Sequence, residues 1–300
     1  MRAVPGAEEV PGAEDVPGAE GSTGDRPAYT APRHLMHLLR IVTTQDADGD
    51  VRGGFELRPQ LLDARGEPRL AVVAMLIDAL GGLRSITASV PDWAFTADMS
   101  IHLVDAAPMA SLRADLHVRR RGRRTLVIEV DLVADDERPA GSAILTFAVV
   151  GRPPHLTDLV VAVEPGTRPM GPTDEELVDD WMTEIGADHP EPGTVVLTSR
   201  REVQNTVGAM HGAIHAALAD DAAVSLGTAL LGGPCAATDL HLAYLDLAKE
   251  GPFIASAQAV GGPSDGGSLT TIVEVHDATG RLCSYSTVHV RRADGNEVTD

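Results

Sequence analysis

Aromatic side chains are scarce, with Phe, Trp and Tyr making up 3% of 300 residues. The cores of this chain must therefore be built from Val, Leu, Ile and Ala, which the 43% hydrophobic content supplies. Cysteine is rarer still: Cys235 and Cys283 alone cannot make a disulfide framework, so a reducing, cytoplasmic setting is the default expectation. No uninterrupted apolar run approaches the roughly 20 residues needed to cross a bilayer, and the opening MRAVPGAEEV has no apolar signal region. No membrane partner is expected. Positive charge is also in short supply, with 24 Lys and Arg against 44 Asp and Glu, a formal net charge of −20. No nucleic-acid partner is expected, because phosphate neutralisation needs a positive surface.

One stretch breaks that rule. Val118–Arg124 reads VRRRGRR and gathers Arg119, Arg120, Arg121, Arg123 and Arg124 around Gly122. Two readings stand side by side: a solvated hairpin tip, or a local anion site for a phosphate-bearing ligand.

Repeats of two sizes organise the chain. VPGAEE, VPGAED and VPGAEG follow one another in the first twenty residues. Such a Pro-, Gly- and Glu-rich period has no apolar face to offset its ordering entropy, so residues 1–26 are expected to be a disordered tail. The larger repeat begins with PRLAVVAMLIDAL (68–80), a helix with proline at its start and Gly81-Gly82 after its end. Its only polar side chain between Leu70 and Leu80 is Asp78, so the helix reads as buried on every face and Asp78 as a costly carboxylate. Four alternating stretches follow, at 96–104, 111–119, 124–133 and 141–150, and read as antiparallel strands.

The second half repeats this order. A helix in QNTVGAMHGAIHAALADDA (204–222) precedes strands at 237–245, 253–260, 268–275 and 282–290. Asp78 aligns with Asp220 and Asp98 with Asp239, at an offset near 142 residues. The expectation is an α+β chain of two units, 27–152 and 173–295, joined by a linker over 153–172. TDEELVDDWMTEIG (173–186) is expected to open the second unit as an amphipathic helix.

One central helix wrapped by an antiparallel sheet resembles the hotdog fold. Asn205 precedes His211-Gly212 by six residues, Asp220 follows Gly212 by eight, and Asp239-Leu-His-Leu-Ala-Tyr244 comes next. This string resembles the PaaI-like branch of acyl-CoA thioesterases, with His-Gly-Ala in place of that family's His-Gly-Gly. A serine that some members carry two residues before the strand aspartate falls at Ala237, with Thr238 beside it as a candidate contact. The resemblance covers about 120 residues of the second half; the first half shares only the layout and Asp78. It implies two tandem hotdog units paired as a pseudo-dimer, with sites shared between them.

Thioester hydrolysis needs a donor for the carbonyl oxygen and a group that activates water or attacks directly. The Gly212 N–H at a helix N-terminus suits the first role, and an aspartate the second. Eight helical residues rise about 12 Å, so Gly212 and Asp220 cannot serve one carbonyl. Antiparallel central helices would instead bring Asp78 to Gly212, with Asn205 and His211 beside it. Asp220 would face Asp63, Arg69 and Leu70, a poorer set. Each residue also has a plainer reading: a capped helix end for Asp78 or Asp220, tight packing for Gly212, a satisfied loop for Asn205. His211 and His215 have the i, i+4 spacing of zinc ligands, but no glutamate follows His211, so neither metal nor cofactor is expected. The expected ligand is an acyl-CoA or related thioester, bound by a hydrolase or by a non-catalytic relative. A homodimer of double-hotdog chains is a further possible assembly.

Overall fold

The computed structural model describes residues 33–104, 108–156, 163–171 and 176–293. The N-terminal repeats lie outside the described residues. The first unit runs α1 (Leu35–Leu39), β1 (Val42–Gln45), β2 (Val51–Glu56), α2 (Leu70–Ser89), β3 (Trp93–Leu103), β4 (Ser111–Arg121), β5 (Thr125–Ala134) and β6 (Pro139–Val150). Strand β7 (Gly166–Pro169) follows. The second unit runs α3 (Trp181–Ile185), β8 (Ala187–Glu191), β9 (Thr194–Leu197), α4 (Gly212–Leu231), β10 (Cys235–Tyr244), β11 (Phe253–Ala259), β12 (Ser268–His276) and β13 (Leu282–Arg292).

All thirteen strands form one sheet in the order β7-β1-β2-β4-β5-β6-β3-β10-β13-β12-β11-β9-β8. The units meet edge to edge where β3 pairs antiparallel with β10, Asp239 opposite His102 and Ala243 opposite Asp98. Each strand aspartate follows a bulge, at Ala97 in β3 and Thr238 in β10.

Helices α2 and α4 pack on the inner face of the sheet and on each other. Ala213, at the start of α4, contacts Asp78 in the middle of α2, and Asp220, in the middle of α4, contacts Ala71 at the start of α2, so the two helices run antiparallel. Nearly every α2 residue from Leu70 to Gly81 is buried, which explains an apolar surface on all sides. Truncating a side chain such as Leu76, fully buried here, costs roughly 2–5 kcal/mol in comparable cores.

Three expectations are corrected. Helix α2 does not stop at Gly81-Gly82 but continues to Ser89. A Cβ on Gly81 would stand 2.3 Å from Leu145 Cδ1, so this glycine serves close helix–sheet packing rather than termination. Helices α2 and α4 each reach 20 residues and are by length and composition apolar enough to span a bilayer, although both are mostly buried in the core. Of the helix expected over 173–186, residues 173–175 lie outside the described residues, and the described part holds only the five-residue α3, opened by Asp180, which accepts from Met182 N at 3.0 Å, and ended by Gly186 at φ 76°. The segment read as a linker contributes β7, which extends the sheet by pairing with β1.

Candidate active site

Two matching loops set the helix starts. In the second unit, Asn205 Oδ1 accepts from Val207 N (3.0 Å) and Ala209 N (3.1 Å), while Gly208 takes φ 73° between them. Asn205 Nδ2 donates to Met210 O at 3.4 Å. Its amide thus closes the turn that delivers His211 and Gly212. In the first unit Asp63 does the same work, accepting from Arg65 N and Glu67 N. The plainer reading of Asn205 is the one its contacts match.

The Asp78 carboxylate lies against the start of α4. Its Oδ2 accepts from Ala213 N at 3.1 Å and sits 3.3 Å from His211 Nδ1, while Oδ1 accepts from Thr96 Oγ1 at 3.1 Å. A Cβ on Gly212 would stand 2.7 Å from Asp78 Oδ2, so only glycine lets the carboxylate approach. Among the described residues the Gly212 N–H has no acceptor. The Gly212 carbonyl accepts from Tyr244 OH at 3.0 Å, which fixes the peptide plane whose other end donates to Asp78.

Burial pushes the Asp78 carboxyl up to about 6, against the lowering pull of Thr96 and Ala213. It is ionised at neutral pH and more basic than an ordinary aspartate, as a general base requires. Burial lowers His211 to about 4, so its ring is neutral. His211 also caps α4, its Nδ1 3.2 Å from Ala213 N. Because Nδ1 accepts from Ala213 N, its lone pair faces the Asp78 carboxylate, and the 3.3 Å contact becomes a hydrogen bond when Asp78 is protonated and its hydroxyl donates to Nδ1. Behind His211 stand His34, with rings 6.1 Å apart, and the turn carbonyl of Gln204 that His34 Nε2 meets at 3.0 Å.

The opposite end of the helix pair is built differently. Asp220 Oδ2 accepts from Ala71 N (3.2 Å), matching the Asp78–Ala213 contact, but also from Arg69 Nε (3.1 Å). Arg69 reaches on to Asp221, which His189 also contacts. Burial works against the Arg69 charge, and the two aspartates outweigh it. Leu70 replaces Gly212 here, and Ala237 replaces Thr96. Thr238 is the bulge residue of β10 and donates to Asp239 Oδ2 at 2.7 Å, on this side of the molecule rather than to Asp78.

The arginine hairpin joins β4 to β5. Thr96 pairs with Phe147, Phe147 with Leu126, and Leu126 with Arg121, so one row of the sheet links the Asp78 ligand to the hairpin. Three strand spacings put the tip about 14 Å from Thr96. Arg121 Nε donates to Ala88 O at the end of α2, and Arg119 pairs with Glu129. Arg120, Arg123 and Arg124 are exposed, with no ion-pair partner among the described residues.

Thr96 and Tyr244 carry contacts that motif reading did not assign. Thr96 was within reach: it stands two residues before Asp98, as Ala237 stands two before Asp239, so the hydroxyl sought in the second half sits in the first. Tyr244 stood in the quoted strand motif with no role. No sequence signal marks His34 as a neighbour of His211.

The chain matches no family model and no curated protein. Solved structures do resemble it. An acyl-ACP thioesterase from Bacteroides thetaiotaomicron superposes with a TM-score of 0.54 at 14% identity, covering 80% of this chain and 97% of that one. The tesB protein of Mycobacterium avium subs paratuberculosis gives 0.53 at 13%, covering 80% and 92%. A hot dog fold protein of unknown function from Alicyclobacillus acidocaldarius gives 0.52 at 15%, covering 86% and 97%. At such identities the likeness is one of fold. The chain is a double-hotdog protein, two hotdog units in one polypeptide acting as each other's partner.

Proposed function

We propose that this protein hydrolyses acyl thioesters at the junction of Asp78 and Gly212. The observation that carries the reading is a buried carboxylate, raised to about 6, held against a helix start whose Gly212 N–H has no acceptor among the described residues. The thioester carbonyl oxygen takes the Gly212 N–H. Asp78 accepts a proton from water as the water oxygen bonds to the carbonyl carbon. The oxyanion is stabilised by the Gly212 donor and the α4 dipole. Collapse breaks the C–S bond, and the proton on Asp78 passes to the departing thiolate. Thr96 and the Ala213 N–H hold the carboxylate in place throughout.

Two further features support the reading. Structures of the same fold include proteins described as thioesterases. The change from His-Gly-Gly to His-Gly-Ala is also harmless here, because only the backbone N–H of Ala213 meets Asp78. That weakens the case for a non-catalytic binder. Arg120, Arg123 and Arg124 are proposed to take the phosphates of coenzyme A, at a span suited to a pantetheine arm, in a cytoplasmic setting. The test is thiol release from a panel of acyl-CoAs by wild type, Asp78→Asn and Asp220→Asn. Loss in the first variant and retention in the second is expected. Full turnover by Asp78→Asn would sink the assignment.

A further inference from the structure

Among the cavities the hydrolytic reading does not use, one adjoins the second buried aspartate. A cleft of about 340 Å³ opens at the Asp220 end of the helix pair, within the size range of small-ligand pockets, which starts at roughly 300 Å³. Its walls are mainly apolar: Leu62 and Leu70 on one side, Val224 on α4, and Ala236 and Ala237 at the start of β10. Its charged residues are already satisfied. Arg69 is bound to Asp220 and Asp221, and Asp63 to Arg65 at 2.7 Å. A ligand bearing a net charge would find no unpaired counter-ion among these groups and would lose its hydration.

Chemistry and recognition both differ from the Asp78 end. Asp220 has Arg69 bonded to it and no hydroxyl where Ala237 replaces Thr96, so water activation is not supported. The hairpin tip between β11 and β12, residues 260–267, carries Asp265 as its one charged residue where the first unit carries five arginines. A phosphate-bearing carrier has no counterpart to that hairpin on this side.

We propose that the Asp220 cleft is a second, non-hydrolytic site that takes an uncharged aliphatic chain, unattached to coenzyme A. At this end the polar groups have closed on one another beside a mainly apolar hollow. This site goes beyond the thioesterase reading and stands whether or not the Asp78 end turns over.

The test is calorimetric titration of the full chain with 1-octanol, in wild type, Val224→Trp, Ala64→Trp and Asp78→Asn. Val224 lines the cleft from α4, and Ala64 lines it from an exposed loop position that tolerates a large side chain without repacking the core. Expected is saturable binding of one octanol per chain in wild type and Asp78→Asn, weakened at least tenfold in both tryptophan variants. Hydrolysis of acyl-CoA by those variants should stay within about twofold of wild type. If Val224→Trp does not fold, Ala64→Trp decides. Absence of saturable binding in wild type, binding undiminished by the tryptophans, or binding lost in Asp78→Asn alone would each overturn the proposal. Loss of hydrolysis in the folded tryptophan variants would make the cleft part of the turnover site and overturn it too. Intact octanol binding by a wild type that hydrolyses nothing would instead remove the thioesterase reading and leave this site standing.

Discussion

A carboxylate buried against Gly212 opposes folding whenever it is ionised. The Asp78 pKa is raised from 3.8 to about 6, so its favourable contribution is complete below the unfolded value and lost as pH rises through the folded one. Above pH 6 the cost is at most about 3 kcal/mol, at 1.36 kcal/mol per unit. Asp78→Asn is therefore expected to stabilise the protein by up to that amount at pH 7.5 while lowering kcat by roughly a thousandfold, as loss of a general base does. Urea denaturation at pH 7.5 and at pH 3.5 checks the first half, since the gain should vanish at the lower pH. The same ionisation should shape kcat/KM, with an acid limb near pH 6. Thr96→Val removes a hydrogen bond that lowers the Asp78 pKa, so its limb should move to higher pH. An unmoved limb would separate Thr96 from the reacting carboxylate.

Two elements carry predictions of their own. The start of α4 is shaped by the absence of a side chain at Gly212, where a Cβ would meet Asp78 at 2.7 Å. Gly212→Ala should gain up to ~1 kcal/mol of helix propensity but push the carboxylate aside, so thermal stability should hold while kcat falls about a hundredfold. Retained turnover would mean that Asp78 works from another position. The β4–β5 hairpin is the other. Replacing Arg120, Arg123 and Arg124 with alanine should raise KM for acyl-CoA about tenfold with kcat little changed, and the salt dependence of KM should flatten. An equal effect on a pantetheine thioester without the nucleotide would show that the hairpin does not meet the phosphates.

At the scale of the whole molecule, buried histidines set the response to acid. Burial lowers His34 to about 3, His211 to about 4 and His215 to about 3. Unfolded, each would titrate near 6.5. Their contribution is thus full above pH 6.5 and is lost as pH falls toward their folded values, with Asp78, Asp220 and His189, all raised, acting in the opposite sense. Stability should decline from pH 6.5 to 4.5, with a net uptake of protons on unfolding because the three histidines outnumber the raised aspartates. Stopped-flow or equilibrium urea titrations across that window measure the slope, and His34→Gln should reduce it by about one proton. A flat profile would show that these histidines are not buried as neutral rings.

The periodicities were enough to place the α2 and α4 cores, eight of the strands to within a few residues, and the duplication, because burial of one sheet face imposes a period of two and burial of a whole helix leaves it apolar on all sides. Helix rise alone separated Gly212 from Asp220 and pointed to a partner on another helix. Tertiary structure decided what local pattern does not encode. Gly81 reads as a stop in sequence, yet close packing on Leu145 carries the helix through it. Asn205 stands six residues before His211 in sequence, and only the fold shows its amide closing the turn that delivers His211. Thr96 and Tyr244 acquire their contacts only when the sheet sets them beside Asp78 and Gly212. Asp78 and Asp220, alike in sequence, are set apart by the neighbour the other unit supplies: a neutral histidine for one, an arginine for the other. The physical reason is that hydrophobic patterning is a property of each segment, whereas the charge state of a buried carboxylate belongs to the contacts made between segments.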